Sequence, residues 1–105
     1  MKLENHEMLS SIRREIDAVD LELLAILAKR QALVERVLPI KLQEGLPARI
    51  PSRIDEVVNG AVSRAQQMGA HPDLVRTVWA TMVEWFVRYE EEALRNSGKP
   101  SASAQ

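Results

Sequence analysis

From about Ser10 to Glu44 the chain reads as one long amphipathic helix, and that length constrains the fold more than any other feature. Ile12, Ile16, Val19, Leu23, Ile26, Leu27, Leu33, Val34, Val37 and Ile40 recur at spacings of three and four. Ser10 or Ser11 supplies an N-cap, with Glu and Asp following early, and Gly45 with Pro47 beyond it is a stop signal. At 1.5 Å per residue such a helix runs roughly 50 Å. A compact domain of 105 residues is narrower than that. The helix therefore overhangs its own domain, and an overhanging apolar stripe needs a second helix to cover it, which predicts a homodimer. Pro39 lies inside the pattern, where it removes one backbone hydrogen bond and crowds the carbonyl of Glu35. The expected consequence is a kink or an early end to the regular helix.

The rest of the chain continues in helices. Leu46 to Ser52 is turn-like, with Pro47 and Pro51. A second helix is expected from about Ser52 to Met68, carrying Ile54, Val57, Val58, Ala61, Val62 and Ala65, and Gly69 ends it. Pro72 and Asp73 open a third, with proline in its first turn. Its stripe includes Leu74, Val75, Val78, Trp79, Met82, Val83, Trp85, Phe86 and Tyr89, and fades near Leu94. There is no strand signal and no glycine-rich phosphate loop. The expected fold is all-α: one helical domain over 1–96 and a tail over 97–105 whose Ser, Gly and Pro content predicts disorder.

Composition narrows the functions. A net charge of -1 argues against a nucleic-acid binder, which carries a basic excess. With no cysteine there is no disulfide and no thiolate metal site, and His6 and His71 are too few and too isolated for a histidine-built one. The polar start lacks the apolar core of a secretory signal, and no run approaches the roughly 18 apolar residues of a membrane span. The expectation is a cytoplasmic protein with no metal.

The informative residues are charges in line with apolar stripes. Arg30 follows Leu23 by seven and Leu27 by three, and precedes Val34 by four. Lys41 comes eleven residues later, three turns and about 20° of rotation, so both project from one face. Glu90 follows Phe86 by four and Val83 by seven, continuing a buried face of the third helix. A buried charge is costly unless paired. Two readings of Arg30 and Lys41 stand side by side. Their heads reach water or pair with Glu35, Glu44 or Glu90, or they bind an anionic ligand. Glu90 also fits a solvated acidic run with Glu91 and Glu92. Arg13 is explained by Asp17 one turn on, and Arg53 is ordinary by spacing. Trp79, Trp85 and Phe86 read as core or dimer contacts. No nucleophile has a histidine placed to serve it.

The stretch Ile12-Arg-Arg-Glu-Ile-Asp-Ala-Val-Asp20, followed by Leu23-Leu-Ala-Ile-Leu-Ala-Lys-Arg30, resembles the first helix of the all-α chorismate mutases. That family's pattern of an Arg before an Ile-Asp-x-x-Asp run, an Arg after a Leu-rich turn and a Lys eleven residues later falls on Arg13, Arg30 and Lys41. The Gly45-Leu46-Pro47 turn, Arg53 early in the second helix and an aromatic-rich third helix also match, over residues 9 to 95. The resemblance implies an intertwined homodimer with two sites, each taking Arg13 from one subunit and Arg30, Lys41, Arg53 and Glu90 from the other. It implies a small dicarboxylate substrate, no cofactor, and a Claisen rearrangement of chorismate to prephenate.

That chemistry suits these residue types. The rearrangement is unimolecular and gains from conformer selection and from stabilising negative charge on the breaking ether oxygen. On this resemblance Arg13 and Arg30 grip the two carboxylates, and Arg49 joins them if the 46–52 loop closes. Lys41 donates to the ether oxygen. The family often has Gln where this chain has Glu90, and a Glu donates only when protonated, so activity is expected to fall as pH rises. Ile50 and Ile54 stand where many mutases carry acids that read the ring hydroxyl. That departure is similar to the isochorismate pyruvate-lyase branch, which gives salicylate and pyruvate. Two further functions are compatible with the same pattern: a mutase of the amino analogue, aminodeoxychorismate, and a non-catalytic helical dimerisation module.

Overall fold

A computed structural model describes residues 2–97, which form three helices: α1 (Lys2–Glu44), α2 (Pro51–Met68) and α3 (Pro72–Ser97). No strand occurs among the described residues, and the fold is all-α as expected. Of the tail expected from residue 97, only Ser97 is described, as the last residue of α3; 98–105 lie outside the described residues.

Helix α1 begins eight residues before the expected Ser10 cap. Nothing from Lys2 to Leu9 breaks a helix, for it holds neither Gly nor Pro, and Glu4 in the first turn complements the helix dipole. The serines lie within the helix instead of capping it. Pro39 does not end α1 either: the helix runs on to Glu44. The turn beyond Pro39 is anchored by Lys41, whose ammonium contacts two other segments of the chain. Gly45 then adopts φ +68°, a left-handed conformation that a side chain would resist, and the Leu46 N–H closes on the Lys41 carbonyl at 2.8 Å.

The chain divides into two compact units, one ending at Val34 and the other beginning at Glu35. The first unit is the longer part of α1, and none of its described residues is buried. Leu9, Ile12, Ile16, Val19, Leu23 and Ile26 follow one another at steps of three and four, a narrow apolar seam along one face of the helix. All six are exposed, Leu23 at 58% and Ile26 at 64%.

The second unit packs α2 on α3. Val58, Val83 and Val87 form the centre of its core, with Ile54, Val57 and Trp79 packed against it. Pro51 starts α2 where its missing N–H costs nothing, and Ile50 in extended conformation precedes it. Gly69 closes α2 at φ +80°. His71 helps to start α3, where its Nδ1 accepts the Asp73 backbone N–H at 3.2 Å. Phe86 is buried, whereas Trp85 is 56% exposed and meets Phe86 edge to face at 5.1 Å.

Candidate functional site

The second unit brings together two of the charged residues that the sequence singles out. Glu90, on the core-facing side of α3, is 7% exposed, the one charged residue among the buried ones described. Its Oε1 lies 3.0 Å from the Nζ of Lys41. The same ammonium donates to the carbonyl oxygen of Ala48 at 3.1 Å. Lys41 reaches this position from the last turn of α1, and Ala48 comes from the segment between α1 and α2. Three separate pieces of chain thus meet at one ammonium group. Pairing with Glu90 is one of the readings that the sequence leaves open for Lys41, and it holds in this structure. A cation fixed by a carboxylate and a carbonyl in a largely dry place is preorganised: little reorganisation is needed when negative charge develops nearby.

Arg49 does something that its position in a loop does not announce. It is held by two glutamates of α3. Its NH1 and NH2 donate to the two oxygens of Glu84 at 2.8 and 3.0 Å, a bidentate fork, and Nε and NH2 reach Glu91 at 3.4 Å. Arg88, one turn beyond Glu84, donates to the same carboxylate at 2.8 Å. Hydrogen bonds from Arg49 and then Arg88 hold the Glu84 carboxyl down at about 2, against the usual 4.5. The Arg49 guanidinium is raised above its already high value, first by its hydrogen bond to Glu84 and then by Glu91. For Glu84 the folded-state value is the lower one. Its contribution to stability is therefore in place above the ordinary carboxylate range and is lost only as pH falls through about 2. We expect the Glu84 carboxyl carbon to titrate well below the ordinary carboxylate range in an acid NMR titration. A Glu84 midpoint at the ordinary carboxylate value would show that the fork does not persist in solution.

Arg53, in the first turn of α2, is exposed and pairs with Glu56 one turn on. Arg13 and Arg30 belong to the first unit, where Arg13 is exposed and Arg30 half-buried on α1. Ile50 and Ile54 are half-buried, and Ile54 packs on the core, so neither offers a polar atom to a substrate. A shallow groove of about 440 Å³ runs along α3, bordered by Trp85, Arg88, Tyr89, Glu92, Ala93 and Asn96. Lys41, Arg53 and Glu90 do not line it. Among the described residues there is no cluster of His, Asp or Glu that could hold a metal ion, and no helix long and apolar enough to cross a membrane.

Sequence reasoning missed Ala48, Glu84 and Glu91. Ala48 acts through its backbone oxygen, which no residue type signals. Glu84 and Glu91 sit seven apart on α3, nearly two turns, and so share a face; with Arg49 in a short loop, that spacing is the available clue.

The architecture and the pinned ammonium define a class: small all-helical proteins that present a fixed cation. The family model for chorismate mutase type II matches residues 12–91, and the chain belongs to that family. It is 39% identical over 70 residues to a T-protein of Enterobacter agglomerans, covering 67% of this chain and 19% of the T-protein. A T-protein of Haemophilus influenzae is 38% identical over 72 residues, covering 69% of this chain and 19% of its own length. The chain thus spans about a fifth of the T-proteins it matches. A 4-amino-4-deoxychorismate mutase of Streptomyces pristinaespiralis is 29% identical over 92 residues, 88% of this chain and 71% of that enzyme. No solved structure gives a significant match.

Proposed function

We propose that the chain is a chorismate mutase, which rearranges chorismate to prephenate by selecting the reactive conformer and stabilising charge on the ether oxygen. The observation that carries this reading is the Lys41 ammonium held between Ala48 and Glu90, in a chain whose family is defined. The reaction breaks the ether C–O bond and forms a C–C bond within one molecule. It needs no nucleophile, cofactor or metal, only placement and positive charge. A substrate with two carboxylates also needs cationic forks, and Arg13, Arg30 and Arg53 are the candidates, with Lys41 donating to the ether oxygen.

Arg13 serves the site of a second copy of the chain, on this reading. What supports a homodimer is the exposed seam from Leu9 to Ile26: a helix with that much apolar surface in water is unstable until another surface covers it. A soluble cytoplasmic enzyme is the setting that fits.

The amino analogue is the second reading, and a specific observation favours it. The 4-amino-4-deoxychorismate mutase aligns with 88% of this chain, and the matched stretch is 71% of that enzyme. The test is turnover of purified protein with chorismate, 4-amino-4-deoxychorismate and isochorismate in parallel. Prephenate from chorismate is the expected product. Faster conversion of the amino analogue would reassign the substrate, pyruvate from isochorismate would reassign the reaction, and conversion of none of the three would leave a helical module without activity.

On the mutase reading Glu90 serves the site by fixing the Lys41 ammonium, 3.0 Å away, beside the ether oxygen.

A further inference from the structure

We propose that Arg49 is a positioning residue, clamping the segment between α1 and α2 to α3 so that the Ala48 carbonyl and Glu90 hold the Lys41 ammonium in place. This rests on the reading above that Lys41 is the cation acting in the reaction.

The connectivity is what carries the inference. Lys41 has two partners, Ala48 and Glu90. Each is the immediate chain neighbour of one end of the arginine clamp, because Ala48 precedes Arg49 and Glu90 precedes Glu91. Two links therefore run between the same two pieces of chain: one from the loop through Lys41 to Glu90, the other from Arg49 to Glu84 and Glu91. The inner link is largely dry and the outer one is solvent-accessible. The loop has little freedom of its own. It leaves α1 through Gly45 with a Leu46–Lys41 backbone bond and enters α2 at Pro51, and Pro47 fixes a further φ. Ala48, at 7% exposed, is its one buried residue. What remains to be fixed is the distance of this loop from α3, and the bidentate Arg49–Glu84 fork sets it.

A guanidinium occupied by two carboxylates is not free to grip a substrate carboxylate. That separates Arg49 from Arg13, Arg30 and Arg53 in role. If it bound substrate directly, releasing it from Glu84 and Glu91 should improve binding. As a clamp, the release should harm turnover as much as removing the arginine itself.

The experiment compares Arg49→Ala, the double variant Glu84→Gln/Glu91→Gln and the triple variant that combines them, in the full chain. Two quantities are read: kcat and KM with chorismate, and the Lys41 ammonium resonance by nitrogen-15 NMR at low temperature. The clamp predicts that Arg49→Ala lowers kcat roughly 10- to 100-fold with KM within a few-fold, as expected for slight misplacement of a reacting group. The double variant gives the same loss, and the triple is no worse than either, because all three remove one unit. The Lys41 resonance, sharp in the wild type, broadens or disappears in all three. The proposal is overturned if the resonance survives in Arg49→Ala, if KM alone rises, or if the double variant binds substrate more tightly. The resonance reports on the clamp whether or not chorismate is turned over. A silent wild type overturns the catalytic reading and leaves the NMR result to decide the clamp.

Discussion

Lys41→Met is expected to lower chorismate turnover about 100- to 1,000-fold, the usual cost of removing one preorganised donor from a developing oxyanion. The same variant is expected to lose about 3 kcal/mol of stability, because it leaves the Glu90 carboxylate buried with its cation gone. The side chains of Lys41 and Glu90 are 13% and 9% exposed, so water can replace the ammonium only in part. The two effects separate in the double variant Lys41→Met/Glu90→Leu. It removes both charges, fills similar volume with apolar groups and should recover most of the lost stability while staying inactive. Denaturant unfolding and a prephenate assay measure the two quantities on the same samples. Near wild-type activity in Lys41→Met would remove Lys41 from the chemistry. Equal instability in the single and double variants would show that the ion pair is not what holds the turn beyond Pro39.

The second large effect is expected on α1. Leu23 is 58% exposed in a single chain, so Leu23→Glu would cost almost nothing if the chain worked alone. If a second copy covers the seam, the substitution buries a carboxylate against apolar side chains, and two-fold symmetry does so twice. At about 2–3 kcal/mol for each copy, dissociation of the dimer should become easier by roughly three orders of magnitude or more. Sedimentation equilibrium should show a wild-type dimer at micromolar concentration and a Leu23→Glu monomer, and the monomer should be inactive for want of Arg13 from a partner. A monomeric wild type, or a variant that sediments like the wild type, would contradict the shared seam.

How much of the fold and the site is legible in the sequence follows from the kind of signal each feature leaves. Helix type and order come from periodicity and punctuation: Gly45, Pro51, Gly69 and Pro72 mark the boundaries within a residue of where they fall. The start of α1 is misplaced by the sequence pattern because a capping residue announces where a helix can begin, and nothing upstream of Ser10 compels it to stop. At Pro39, of the kink or early end that the sequence offers, the early end does not occur. The proline's local penalty is real, but Lys41 anchors the following turn through contacts 7 and 49 residues away in sequence, which propensity does not register. Glu90 is legible as buried because it continues the stripe of Val83 and Phe86. Its neighbour Glu91 looks solvated in the sequence and is paired in the structure, because its partner, Arg49, lies 42 residues earlier in an irregular segment. Backbone acceptors such as Ala48 leave no trace in side-chain pattern at all.

A site completed between two copies of the chain is the central claim, and mixing two inactive variants tests it most directly. Arg13→Ala and Lys41→Met/Glu90→Leu are each expected to form no appreciable prephenate. Unfolded together in equal amounts and refolded, they should pair at random. Each mixed dimer then holds one intact site and one doubly damaged site, so the mixture should regain about a quarter of the wild-type rate. A mixture as inactive as its components, under conditions where refolded wild type recovers its activity, would contradict a site shared between subunits.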